Sequence, residues 1–364
     1  MWTREPRQKR SGSVAVLALC LMILMLGMIA LAVDVGYMFY VDTELQRTAD
    51  AAAIAATWKL VDLRGSSTQP LARTAVEAVR SVADQYAQLN RVANATVSLT
   101  ADDTTVGELR YPFSAGSATT FADPGDPARF NAVKVRVRKT NSQNGAVALF
   151  FARALGFSPR DTEREATAAF IDSPGGLRVP VNNENLQLLP FALDDATWQS
   201  LANGTVTQAN LYPDNTTLPA GNRGTVDIGS SNNSTADISR QIRDGVSPSD
   251  LADLAYSGGK LEFDASGYLY LNGDTGISAG VKDDLASIIG KPRYILLFDD
   301  VREPGDNAKY RIIGFGGIRI LSVKLTGTNK NVMIQRCEIV SRGVVPSSTG
   351  SDSNFVYSPV WLVR

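Results

Sequence analysis

A chain of 364 residues with 36 basic and 37 acidic side chains carries a formal net charge of −1, so no excess positive charge exists to draw a phosphate backbone. Its one concentrated basic cluster, Arg4, Arg7, Lys9 and Arg10, flanks an apolar run rather than forming a broad surface, and a nucleic-acid partner is not supported. Histidine is absent, which removes Ser-His-Asp and Cys-His nucleophile activation, histidine general-base chemistry and His-ligated zinc or iron.

The apolar run extends from Val14 to Val33 without a charge, and Asp34 closes it. Twenty helical residues rise roughly 30 Å, the thickness of a bilayer's hydrocarbon core. Positive charge on one side of such a span stays cytoplasmic, so residues 1–33 read as a cytoplasmic tip and single-pass anchor, with the body of the protein on the far side. A cleaved signal peptide is the rival reading, since Ala30-Leu31-Ala32 has the small-x-small form of a cleavage site. The run exceeds the roughly 7–15 residues of a signal-peptide core, and helical character continues straight through Asp34, which favours a retained anchor.

Residues 34–64 continue as a helical stalk. Val35, Met38, Val41, Leu45, Ala49, Ala52 and Ala56 recur at helical spacing to make one stripe, while Asp42, Glu44, Gln46, Arg47 and Asp50 take the other side. Such a stripe packs either on the protein's own ectodomain or on a neighbouring helix. Gly65–Pro70 breaks the pattern. Residues 65–175 then predict a small α+β domain: a helix over 71–92 with Leu71, Ala75, Val79, Val82, Tyr86 and Leu89 on its apolar face, strands over 95–99, 106–113 and 132–139, a helix over 146–155 ending at Gly156, and a strand over 165–171.

Residues 176–364 predict a β-rich exported domain. Helices are expected over 236–243, 248–255 and 279–289, and strands over 294–298, 310–315, 318–325 and 331–340, with a final edge strand over 357–363. Gly314, Gly316 and Gly317 suggest a bulge or tight hairpin between two of these strands. The fold class is therefore α+β, with a transmembrane helix continuing into a long helix, a small α+β domain and a β-rich domain. Cys20 lies in the membrane run and Cys337 in the exported part, so the two cannot bridge, and Cys337 reads as a buried, inert thiol, with intermolecular pairing the alternative.

The anchor and stalk carry a family resemblance. An apolar span ending in Ala-Val-Asp-Val-Gly-Tyr (Ala32–Tyr37), then Thr-Glu-Leu-Gln (Thr43–Gln46), then Ala-Asp-Ala-Ala-Ala (Ala49–Ala53) resembles TadG-like proteins of the bacterial tight-adherence (Tad/Flp) pilus system. Similarity extends into Asn131–Val137 and Leu149–Arg153, covering roughly the first half. The resemblance implies a non-enzymatic accessory or minor component of a pilus assembly apparatus, anchored in the bacterial cytoplasmic membrane. Its body would face the periplasm or the exterior, and its partners would be the lipid bilayer and Tad assembly proteins or pilin-like subunits. On this reading Asp34, Tyr37, Glu44, Leu45, Asp50 and Ala52 are the candidate partner contacts, and a charge at Leu45 or Ala52 is expected to weaken assembly with the ectodomain still folded.

Two departures limit the resemblance. Type IV-like prepilins carry a glutamate shortly after a cleavage glycine, whereas Gly12 is followed by Leu17 at that point and the span holds no acid, which argues against processing as a major pilin. Several TadG-like proteins carry a von Willebrand A domain whose metal site needs Asp-x-Ser-x-Ser. Here Ile295–Asp299 supplies strand and acid but Val301 replaces the first serine, and Asp227–Ser231 has Gly229 in a serine's place, so a hard cation loses oxygen ligands it requires.

No catalytic, metal or cofactor site is expected. Asp299, Asp300, Glu303 and Asp306, and separately Asn272-Gly273-Asp274, lack the ligand spacing of a calcium loop and read as solvated turns. Ser257 and Lys260 show no sign of an activated dyad, and the Gly314 motif lacks a βαβ setting. Asn94, Asn203, Asn215, Asn232 and Asn233 head Asn-x-Ser/Thr triplets that mark surface loops. The competing function is an exported adhesion or glycan-binding protein that uses the helix only as a tether. An envelope hydrolase built on Ser-Lys or paired carboxylates is the weakest reading.

Overall fold

Alanine, leucine and valine dominate the first fifty positions after the basic tip, and no proline interrupts them. In the computed structural model they form one helix, α1, running 55 residues from Gly12 to Ser66. Gly27 and Gly36, each costing about 1 kcal/mol against alanine inside a helix, do not break it. The structure describes residues 12–66, 73–110, 120–180, 182–212, 224–229, 234–254, 261–302, 308–346 and 355–363. The basic tip, most of the Gly65–Pro70 break, Glu303, Asp306, Ser257, Lys260 and three of the Asn-x-Ser/Thr asparagines (Asn215, Asn232, Asn233) lie outside those residues.

Side-chain exposure along α1 changes abruptly. Leu17, Ile23, Leu26 and Leu31 all face outward, and the most apolar stretch of the helix buries none of its surface within the chain. From Val41 onward the predicted stripe is buried: Val41, Leu45, Ala49, Ala52 and Ala56 have no accessible surface. The second helix, α2 (Arg73–Leu89), buries Ala75, Val79, Ala83 and Ala87. That face is rotated from the expected one, leaving Tyr86 and Leu89 exposed, because the small alanines allow the closer approach.

Strands β1 (Thr104–Arg110), β2 (Thr120–Ala122), β3 (Ala132–Lys139) and β4 (Thr162–Ala169) follow. In β3, Val133, Val135 and Val137 are buried and the alternating basic residues are half-exposed, as period-2 patterning requires. Two expectations fail here. Residues 95–99 form no strand: Ala93 and Asn94 adopt positive φ in a turn closed by Val92 and Ala95, and the Ser98 and Leu99 amides donate to the Asn144 and Asp84 side chains. Side-chain acceptors have replaced a strand partner. The helix over 146–155 shrinks to one 3₁₀ turn, Ala152–Leu155, closed as expected by Gly156 at φ 84°.

The remaining elements are β5 (Pro174–Leu177), β6 (Leu188–Asp194), α3 (Asp195–Ala202), β7 (Ala209–Asn210), β8 (Gly224–Val226), α4 (Thr235–Asp244), α5 (Pro248–Ala252), β9 (Leu261–Glu262), β10 (Leu269–Thr275), α6 (Lys282–Ser287), β11 (Pro292–Arg302), β12 (Ala308–Lys324), β13 (Asn331–Arg336), β14 (Ile339–Val340), β15 (Val344–Pro346), β16 (Val356–Tyr357) and β17 (Trp361–Val363). One sheet has the order β17-β4-β3-β1-β2, so the last strand is an edge, as predicted. A larger sheet has the order β10-β8-β6-β11-β12-β13-β7, and smaller ones join β15-β5-β9 and β14-β16. The fold is α+β.

By packing, the chain divides into two units. The first comprises residues up to Ala53, Val82–Thr104 and Lys134–Ala166; the second comprises Ile54–Ser81, Thr105–Val133 and Thr167 onward. Within the second unit, β10 pairs with β12 as well as with β8, which closes β10, β8, β6, β11 and β12 into a ring. Leu271, Val226, Ala192, Leu296 and Ile312, one from each strand, share a single core. Alternate residues of the same strands, such as Leu189, Phe191, Ile295 and Leu297, join Trp198 of α3 and Ile242 of α4 in a second core on the other face.

The glycine motif lies inside β12, a single 17-residue strand, so the hairpin alternative is wrong. A bulge does occur, where pairing with β11 skips Ile313 beside Gly314. A Cβ at Gly316 would come within 2.9 Å of the Trp198 indole, and one at Gly317 within 2.1 Å of the Cys337 carbonyl oxygen. The glycines make room for neighbours rather than turning the chain.

Candidate functional site

Functional geometry in the first unit concentrates where α1 leaves its exposed apolar stretch. Asp34, one residue past that stretch, is only 4% exposed. Its Oδ1 accepts from the Phe150 amide at 2.7 Å and its Oδ2 from the Ala152 amide at 2.6 Å, while the Phe151 amide donates to both oxygens. A carboxylate taking the free N–H groups at the start of a helical turn is a charge-assisted cap. It explains why the expected longer helix does not form, since these three donors point at a side chain. Burial pushes the Asp34 pKa up, but the Ala152, Phe151 and Phe150 amides outweigh it and hold the carboxyl below its ordinary value.

Successive turns of α1 repeat the device. The Tyr37 ring meets the Phe150 ring edge-on at 4.9 Å. Asp42 accepts from the Thr162 hydroxyl at 2.6 Å and pairs with Arg164 at 2.5 Å. Glu44 accepts from the Ala93 amide at 2.7 Å and from the Tyr40 hydroxyl. Gln46 donates to the Asp50 carboxylate at 2.8 Å and to the Glu165 carbonyl at 3.3 Å. Asp34, Asp42, Thr162 and Arg164 also line a groove of about 420 Å³, together with Leu31, Val35, Met38, Phe39 and Arg160.

A second polar node stiffens the loops that α1 grips. Asp103, fully buried, accepts from the Arg138 guanidinium at 2.6 Å, the Gln143 amide at 2.6 Å and the Thr100 hydroxyl at 2.8 Å. Burial raises its pKa, and these donors, Gln143 foremost, bring it below the ordinary carboxylate value.

Of the six positions singled out from the sequence, Asp34, Leu45 and Ala52 are buried within the chain, while Tyr37, Glu44 and Asp50 are half-exposed. Asp34 and Tyr37 converge on Phe150; Asp50 sits farther along with Gln46. The sequence suggests contact with other proteins for Asp34 and Glu44, whereas their carboxylates, like that of Asp42, bond to residues of this chain; nothing local to α1 marks residues 49 to 120 positions away as those partners.

Other candidates are engaged differently. Asp299 pairs with Arg311 through both oxygens, at 2.7 and 2.8 Å. The Asp227 amide donates to the Asn272 carbonyl at 2.8 Å. Cys337 is half-buried rather than fully enclosed; burial raises its thiol pKa, and it is unbridged. Among the described residues no group of three or more Cys, Asp or Glu side chains is placed to hold a metal ion.

A long apolar helix that passes unbroken into a folded region, clasped there by carboxylates, fits a single-pass membrane anchor. Comparison with family models matches residues 12–62 to the Flp pilus-assembly TadE/G-like family and residues 55–168 to the Tad-like Flp pilus-assembly family. Over this N-terminal part the chain is a TadG-like protein, and the matches together with the apolar helix fit a membrane-anchored component of the Tad system. No curated protein and no solved structure matches the chain.

Proposed function

We propose that this protein is a non-enzymatic, single-pass accessory or minor structural component of a Tad/Flp pilus assembly system. Its N-terminus is cytoplasmic and its body is periplasmic or extracellular. The observation that carries the reading is the division of α1, with outward apolar side chains up to Val33 and a buried stripe from Val41, inside the two family matches. Tyr37, Glu44 and Asp50, half-exposed on the stalk, are proposed as direct contacts to assembly proteins or pilin-like subunits. Asp34, Leu45 and Ala52 contribute by keeping the helix seated. The test is to introduce Tyr37→Ala and Asp50→Lys and to score pilus formation and co-purification with the inner-membrane platform. Loss of both with a folded, membrane-bound protein supports the reading; unchanged assembly reduces the helix to a tether.

A second reading, surface attachment through glycan binding, rests on one feature of the second unit. A groove of about 620 Å³ is lined by Tyr268, Tyr270, Asn272, Arg302 and Lys309, with the Arg302 guanidinium 5.0 Å from the Tyr270 ring centre. Aromatic faces beside hydrogen-bonding groups suit sugar rings. Glycan-array binding that disappears in Tyr270→Ala supports it, and an empty array removes it.

A further inference from the structure

Three phenylalanines stand out in the first unit. Phe150, Phe151 and Phe157 are 62%, 47% and 63% exposed, all on one short turn. Gly156 reverses that turn, and the Phe157 amide donates back to the Ala152 carbonyl at 3.1 Å. Arg153 and Arg160 are exposed on the same segment.

Phe150 has the edge of Tyr37 against it, but a solvent-facing loop gains little from three aromatic rings that keep about half or more of their surface exposed. Position supplies a reason for them. The Asp34 carboxylate holds the amides of Phe150, Phe151 and Ala152, and Asp34 is the first residue beyond the apolar run. The turn is therefore pinned at the level where α1 leaves hydrocarbon. Along α1 itself the exposed aromatic residues Phe39 and Tyr40 follow at once. At 1.5 Å rise per residue they lie about 7.5 and 9 Å beyond Asp34, at the outer limit of a headgroup layer about 5–7.5 Å deep. Beyond Tyr40 the large apolar residues of α1 turn inward until Trp58.

We infer that the Phe150–Phe157 turn is a membrane-docking element whose phenylalanines seat in the headgroup layer of the same bilayer that α1 crosses. Arg153 and Arg160 lie beside lipid phosphates. The clasp at Asp34 thus sets the depth of the turn, and the turn gives the ectodomain a second foothold besides the helix. Aromatic and basic residues at the interface follow the usual anchoring pattern of membrane proteins.

This inference rests on α1 spanning the bilayer, and its test separates the two. In a full-length Cys20→Ala/Cys337→Ser background, a nitroxide is placed singly at Phe151→Cys, Phe157→Cys, Leu26→Cys and Ser142→Cys in phosphatidylcholine/phosphatidylglycerol vesicles. Collision with oxygen is compared with collision with a water-soluble nickel chelate. Labels at 151 and 157 are expected to favour oxygen, reversing the sign found at the exposed Ser142 and falling short of the value at 26. A water-like value at 151 and 157 with a lipid-like value at 26 overturns the docking element alone. Shielding from both colliders at 151 and 157 also overturns it, in favour of a protein surface packed there. A water-like value at 26 removes the membrane span itself.

Discussion

The two units are held together by different physics. In the first, α1 grips loops through carboxylates: Asp34 on the Phe150–Ala152 amides, Asp42 on Thr162 and Arg164, Glu44 on Ala93, with Asp103 binding Arg138 and Gln143 behind them. In the second, five strands close on an apolar core and helices cover the outer face. Burial of apolar area is non-directional and scales with the surface removed from water, so the ring core tolerates changes of pH. Charge-assisted caps are directional and titrate. The clasp of the first unit is thus local order that a proton can loosen, as is the Asp250–Arg240 pair of the second, whereas the apolar ring core is not.

The contrast breaks most severely with a buried charge. Leu45→Asp places a carboxylate at a position with no accessible surface, and a destabilisation of about 4 kcal/mol or more is expected. It should appear as faster amide exchange in the first unit of the full chain. The earlier expectation that a charge at Leu45 leaves the ectodomain folded is therefore tested by the same measurement. Gly316→Val in the second unit drives a side chain into the Trp198 ring, and overpacking of about 3 kcal/mol should lower the urea midpoint.

Asp103→Ala takes the shared acceptor from the Thr100 amide and hydroxyl, Arg138 and Gln143 and should cost about 2 kcal/mol, with exchange rising at Ser98–Thr104 and 138–144 and not in the ring. Acid sharpens the same comparison. Asp34 and Asp103 are both held below their unfolded value of 3.8. Their contribution is fully present above that value and is lost as pH falls through the lower folded value. Exchange at Phe150, Phe151 and Ala152 should therefore accelerate below pH 3.8 and do so at neutral pH in Asp34→Asn, while β11 and β12 stay protected. The smallest effect is expected from Phe151→Ser, which should change stability by less than about 0.5 kcal/mol because the ring is already exposed.

Legibility from the sequence followed the range of the interactions. The apolar helix, the part of the stripe from Val41 to Ala56 and the alternation of Val133, Val135 and Val137 are local periodic signals, and the structure has them at those positions. Ser234 and Ser247, each capping a helix with an aspartate three residues on, mark two C-terminal helix starts. Strand β6 carries no clean strand signal because Pro190 lies inside its apolar run; its pairing with β11 is irregular at that proline, which has no N–H to give. The ring closure depends on β10 meeting β12, and the clasp on Asp34 meeting residues 150–152. Neither separation leaves a local trace. The glycines of β12 were visible, but their reason, the Trp198 indole, sits far away in sequence.

Topology is the most direct point of attack. In the Cys20→Ala/Cys337→Ser background, single cysteines at Lys9 and Ser142 are exposed to a membrane-impermeant maleimide, first in intact spheroplasts and then after lysis. Labelling of Ser142→Cys from outside, with Lys9→Cys reacting only after lysis, is the predicted result. Reaction of Lys9→Cys in intact cells, or protection of Ser142→Cys until lysis, would contradict a cytoplasmic tip and an exported body.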